Sequence, residues 1–453
     1  MYASAKGDFS LALTGDCMLT QKISMHTEPA FLSLIDVMRR ADATCVNLET
    51  CVRNWDEGTP TITSGTPMTT APRLLDELKW MGVDIVACAN NHAFDYGEGG
   101  ILATIRHLEE AGIPHAGTGR NLAEARMPGY VETAGGRLAL VSTTSAFRPW
   151  NQAGAQRPDI GGRPGVNPFG FKTSYTVDEK VFDALCSMNK ELGFARAEER
   201  NKKHFYSDKE VATAKADEID VFGKRVMKGN EFSISTEANA VDFEETLRAV
   251  REARRQADWV MVSFHCHEFN GNSQKTATSK VDLSELADFV SEFSHAAIDA
   301  GADVIAGHGS HTPLGIEIYK GKPIFYSLGT FVFQNETLPF FPADAFARFD
   351  LGPEAGPADF LDVRTNNDKK GFPAYPGYWR SFLAECIFKD HKPARIILHP
   401  VEEGFGESRA QRGRPVIVGG ALGEEIIDRV RELSAPYGTK IISEDGKGII
   451  NLT

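Results

Sequence analysis

The chain has no run of about 18 consecutive apolar residues, the length that a membrane-spanning helix needs. Its opening residues, MYASAKGDFSLALTGD, hold no basic segment leading into an apolar one. The expectation is a soluble, cytoplasmic chain with no membrane span and no secretory leader. A basic excess is also missing: 49 Lys and Arg against 62 Asp and Glu leave a formal net charge of -13. Nucleic acid and anionic membranes attract a basic face, so neither is expected as a general partner. No Cys-x-x-Cys pair supports a structural zinc site. The seven cysteines are odd in number, scattered and mostly in apolar context, which reads as buried thiols in a reducing compartment, not a disulfide framework. Repeats and low-complexity tracts are absent. What remains is a globular composition, 42% hydrophobic and 25% charged over 453 residues, able to bury a large core as one domain or two.

Apolar runs alternate with amphipathic stretches along most of the chain. Phe9–Leu13, Ala43–Leu48, Val83–Ala89, Leu138–Ser142, Trp259–Phe264 and Val304–Ala306 read as strands. Between them, Ala30–Arg40, Ala71–Met81, Gly99–Ala111, Phe243–Ala257 and Asp282–Ala300 carry helical spacing. This alternation predicts a layered α/β fold. Ile316–Tyr319 and Pro323–Tyr326 flank Lys320-Gly321-Lys322 as a hairpin with a glycine turn.

From Ala146 to Asp242 the periodicity weakens, and the charged stretch Asp178–Val226 looks helical. The expected organisation is a catalytic domain from residues 1–145 and 243–453, with 146–242 as an insertion acting as a lid or substrate-binding segment. A solvated helical spacer is the alternative. Arg148, Arg157 and Arg163 in the insertion are candidates to hold a substrate carboxylate or phosphate.

Five strand ends deliver donor side chains: Asp16; Glu49; Asn91 with His92 and Asp95; His265 with His267; and His308 with His311. Taken singly, each has an ordinary explanation as a cap, a loop residue or a satisfied core histidine. Together they would converge, because the carboxyl ends of parallel strands share one edge of a sheet. Mixed imidazole and carboxylate donors suit Zn, Mn, Fe or Ni, whereas Ca or Mg would draw oxygen ligands almost alone. One ion or two both fit, and two would need a bridging group such as Glu49.

Gly15-Asp16, Asn47-Leu48-Glu49, Ala89-Asn90-Asn91-His92 with Asp95 and Gly97, Gly307-His308 with His311, and the run IEIYKGKPIFYSLGTFVF form a recognisable set. On these motifs the chain resembles the CapA-type poly-gamma-glutamate biosynthesis proteins, which share the calcineurin-like metallophosphoesterase fold. The resemblance covers most of the chain outside the insertion and extends to LSAPYGTKI near the carboxyl end. It implies a sheet sandwich flanked by helices. It also implies metal ligands at Asp16, Glu49, Asn91, His265 and one or both of His308 and His311, with His92 as an acid or electrostatic partner. Three positions depart from the family pattern. His265-Cys266-His267 stands for His-Trp-Gly, Gly307-His308-Gly309-Ser310-His311 for Gly-His-His-Pro-His, and Gly329-Thr330-Phe331 for Gly-Asn-Phe. One donor is lost and another gained.

The leading expectation is a divalent-metal-dependent hydrolase using one or two ions of Mn, Zn or Fe. His92 or His267 would handle the proton, with Asp95 in the same catalytic set. The resemblance implies a small-molecule or peptide substrate, glutamate-containing, cleaved at an amide, gamma-glutamyl or peptide bond, or else a phosphoester. Two alternatives stand beside it: a metal-dependent peptide epimerase exchanging an alpha proton, and a non-catalytic accessory protein of polyglutamate capsule synthesis.

Overall fold

The computed structural model describes residues 7–62, 65–204, 217–269 and 286–452. The beginning of the helix expected from Asp282 and part of the stretch Asp178–Val226 lie outside these. The chain forms two compact units, one of residues 1–169, 241–267 and 293–453, the other of residues 170–240 and 268–292.

The larger unit is a mixed α/β structure built on two sheets. In the first sheet, Phe9–Met18, Ala43–Leu48, Ile85–Ala87 and His115–Ala116 run parallel in that order. Antiparallel strands Arg380–Lys389 and Lys392–Glu402 extend it from Phe9–Leu13. In the second, Gly136–Thr144, Trp259–His265, Val304–His308 and Lys322–Phe325 run parallel. Trp259–His265 and Val304–His308 are buried along their whole length, as strands covered on both faces must be.

One apolar cluster joins the two sheets. It takes Leu11, Leu13, Cys45 and Phe382 from the first and Leu140, Met261, Val304 and Phe325 from the second. On the outer face of the first sheet, Phe31, Leu34 and Met38 of helix Pro29–Arg40 pack with Leu75 and Leu78 against Val46 and Val86. Phe264 on the second sheet meets Phe169 and Phe293 at 5.0 and 5.1 Å between ring centroids. Each sheet therefore has one face on the shared core and at least part of its other face under additional apolar side chains.

The hairpin turn at Lys320-Gly321 has φ of 51° and 77°, the two left-handed residues of a type I′ turn. The smaller unit holds helices Glu179–Glu191 and Phe194–His204 and a four-stranded sheet. Glu218–Val221 and Lys224–Lys228 pair antiparallel in that sheet, where the sequence pattern predicts a helix. Ile219, Val221 and Val226 alternate, and Phe222-Gly223 at φ of 53° and 78° close a second type I′ hairpin. None of the seven cysteines forms a disulfide; Cys186 and Cys266 are half-buried and the rest buried. No helix of the described residues is long and apolar enough to cross a membrane.

Candidate metal centre

Asp16 sits where the Phe9–Met18 strand changes neighbours. Up to Leu13 its partner is the Arg380–Lys389 strand; from Asp16 it is Thr330–Phe333. Gly15 makes that exchange possible, since a Cβ there would stand 1.9 Å from the Gly329 carbonyl oxygen, to which Asp16 N–H donates at 2.9 Å. Asn47 lies beside Asp16 in register and donates from Nδ2 to its Oδ1 at 2.8 Å. Across the second sheet, His265 is the register partner of both Thr144 and His308. The parallel strands of both sheets thus end among the same side chains.

Glu49 is the centre of the group. One oxygen faces His265 Nε2 at 3.7 Å and His92 Nε2 at 4.0 Å, and the other faces His311 Nδ1 at 4.0 Å. It is fully buried, and neither oxygen has a hydrogen-bond partner among the described residues. His265 and His267 approach nitrogen to nitrogen at 3.1 Å, and His311 Nδ1 meets Asp16 Oδ2 at 2.9 Å. Two donor sets result, Glu49 with His265 and His267, and Glu49 with Asp16 and His311, each with its donor atoms within 4.8 Å of one another.

The electrostatics follow from this crowding. Burial raises the Glu49 carboxyl far above the carboxylate range and the charge of Asp16 adds to it. At Asp16 burial pushes the same way, but the hydrogen bond and charge of His311, with His265 and His308 behind it, outweigh burial and hold its carboxyl low. Burial and the neighbouring His267 drive the His265 imidazole well below its usual value, and burial of its ring nitrogens with His311 takes His267 down to about 4, although His267 as a residue is exposed. His265 and His267 are thus neutral at pH 7, the form that ligates metal.

A buried carboxylate with no donor is costly unless a cation faces it. Glu49 supplies that observation, and neutral imidazoles supply the nitrogen donors that Zn, Mn or Fe accepts. The residues therefore fit a divalent ion, and Glu49 has an oxygen for each of two.

His92 stands beside the centre with a fixed orientation. Its Nδ1 meets Asp95 Oδ2 at 2.6 Å, and Asp95 accepts the Met68 N–H at 2.7 Å, which leaves Nε2 facing Glu49. Asn90 supports the same corner, donating to Asn47 Oδ1 at 3.1 Å and accepting His92 N–H at 3.1 Å. His311 adopts φ of 56°, a left-handed conformation uncommon outside glycine, which turns the chain as it enters the centre.

The remaining sequence candidates are not part of these two donor sets, although His308 is close enough for its charge to act on Asp16. His308 turns its Nδ1 to Ser263 Oγ at 3.2 Å and its Nε2 to the Thr14 carbonyl at 3.3 Å. Asn91 is half-buried, with its Oδ1 lacking a partner. Arg148, Arg157 and Arg163 are exposed, engaged with Trp150, Asp159 and the Gln152 carbonyl. Asn47 and Asn90, both buried and both within the motifs quoted above, are site residues to which the sequence assigns no role.

Fold and site together define an α/β protein with a histidine and carboxylate centre at the edge its sheets share. The chain belongs to the bacterial capsule synthesis protein PGA_cap family, which it matches from residue 10 to residue 335, a span holding every donor described above. It is 32% identical to the uncharacterized protein y4sH of Sinorhizobium fredii, across 98% of this chain and 93% of that one. It is 26% identical to the capsule biosynthesis protein CapA of Bacillus anthracis, across 57% of this chain and 42% of CapA. With the PGA biosynthesis protein CapA of Bacillus subtilis the figures are 23%, 72% and 63%.

Proposed function

We propose that this chain is a divalent-metal-dependent hydrolase on a metallophosphoesterase-like sheet sandwich, acting on an amide bond of a glutamate-containing substrate. The reading is carried by Glu49, a buried carboxylate without a donor, flanked by neutral imidazoles and by the His92–Asp95 pair. Glu49, Asp16, His265, His267 and His311 would hold the metal. When bound, the ion polarises the scissile carbonyl and lowers the pKa of a water molecule. Asp95 keeps His92 Nδ1 engaged, so His92 Nε2 is the atom that exchanges a proton with the departing amine. Asn47 and Asn90 hold Asp16 and the His92 backbone in place, which limits reorganisation during the reaction. The names of the Bacillus relatives favour a second reading, in which the same centre serves capsule polymer synthesis without turnover of its own.

The test is elemental analysis of the purified chain, with metal stripped and restored during assays on gamma-glutamyl peptides and on a generic phosphodiester. One or two equivalents of Mn, Zn or Fe, with peptide cleavage that follows the metal, is the expected result. Cleavage of the phosphodiester alone would reassign the bond. A folded chain that takes up no metal would end the hydrolase reading.

A further inference from the structure

Arg364, on helix Pro357–Thr365, is half-buried and makes no ion pair among the described residues, although the charge of Glu336 reaches it. Its guanidinium donates to Thr66 Oγ and lies 5.9 Å from the Phe360 ring. The acids nearby are taken: Arg409 binds Asp362 at 2.7 Å and Asp368 at 2.8 Å, and Arg412 binds Glu336 and Asp368. Arg348, exposed, also has no acid partner among the described residues. Arg409 and Arg412 thus occupy three carboxylates, and Arg364 and Arg348 are left outside any ion pair among the described residues. Burial, and then the charge of Arg348, lower the pKa of Arg364, and the charge of Glu336 opposes them in part.

The position is close to the candidate centre. Thr66 is two residues from Met68, whose N–H fixes Asp95 and through it His92. Two extended residues span at most about 7 Å, so the guanidinium lies on the order of 10 Å from the His92–Asp95 pair. Phe360 shares an apolar cluster with Met68 and Phe333, and Phe333 packs on the His311 ring at 5.7 Å. A guanidinium without an acid partner, presented this way, matches the fork geometry of a carboxylate or phosphate.

We propose that Arg364, held by Thr66, is an oxyanion-recognition residue beside the candidate centre, taking a carboxylate or phosphate group of the molecule processed at the Glu49 centre. This deepens the hydrolase reading and rests on it for the identity of the substrate, but its test needs no turnover. Calorimetric titration of the metal-loaded full chain would use glutarate, inorganic phosphate and the uncharged glutaramide. One of the two anions is expected to bind and glutaramide not to. Arg364→Gln should weaken that binding at least tenfold, Arg364→Lys less, and the distant exposed Arg255→Gln not at all, with metal content equal in all four proteins. Glutarate binding assigns a carboxylate and phosphate binding a phosphoryl group. Binding that persists in Arg364→Gln belongs to the metal and overturns the proposal, as does the failure of both anions to bind. Loss of the hydrolase reading would appear separately, as missing metal or missing cleavage.

Discussion

Glu49 and Glu403 are both fully buried, and burial raises the carboxyl of each above its usual range. Their surroundings differ. Glu403 receives Ser381 Oγ at 2.9 Å on Oε1, and its Oε2 meets Thr330 Oγ at 2.7 Å. Thr330 has one hydroxyl proton and also faces the Tyr378 carbonyl at 2.9 Å, which can only accept. A protonated Glu403 donating to Thr330 satisfies all three contacts. Glu49 has no hydroxyl or amide at either oxygen and three imidazoles within 4.0 Å. One pocket is complete with hydroxyl groups around a neutral acid; the other sets its acid against Asp16 and three imidazoles, a donor set that fits a cation. Equal burial thus separates a structural carboxyl from a functional one only when the donors around it are counted.

The largest effect should come from breaking this contrast at Glu49. Glu49→Gln keeps the shape and removes the charge. Metal affinity is expected to fall by more than about 100-fold, beyond the range typical of supporting residues. Stripped of metal, the variant should be about as stable as the parent, because burial and Asp16 already keep the Glu49 carboxyl protonated and Gln replaces one neutral group by another. Metal content and chemical unfolding in the presence of a chelator measure both. A variant that keeps its metal and loses stability would make Glu49 structural.

His92 comes next, since it flanks the centre without being needed to fill it. His92→Asn is expected to retain the metal and lose about 10²–10⁴ in turnover, the usual size of a general acid or base contribution. Equal loss of metal in this variant would move His92 into the ligand set.

How much of this was readable from the chain depends on whether the signal was local. Strand ends were: Trp259–Phe264 is expected and Trp259–His265 observed, and the Lys320-Gly321 turn lies where the glycine marks it. The segment 218–228 was not, because its short alternation is masked by surrounding charge. The direction of the histidines was not legible either. His308 and His311 are three residues apart, yet Gly309 at φ of 106° and His311 at φ of 56° turn the chain between them. Gly309 has a further role: a Cβ there would lie 2.8 Å from His267 Cδ2 and 3.1 Å from His265 Nε2. The sequence shows a glycine and an additional histidine as two separate departures from a family pattern; in space the first makes room for the second. Glu403 gave no sequence signal at all, since Thr330 and Ser381 reach it only through sheet packing.

The smallest effect tests the completed pocket. Burial lifts Glu403 to about 8 from an ordinary 4.5. Between those values the folded chain holds a proton that the unfolded chain has released, so this group's contribution to stability falls as pH rises from about 4.5 to about 8 and is level outside that window. Gln reproduces the neutral acid, accepting from Ser381 and donating to Thr330, but does not titrate. Glu403→Gln should therefore match the parent near pH 4.5 and become progressively more stable than it towards pH 9, with metal chelated in both. Subtracting one denaturation series from the other removes every other titrating group that the two proteins share. A difference that does not change with pH would mean that Glu403 is not the neutral acid its hydrogen bonds require, and the contrast with Glu49 would then rest on donors alone.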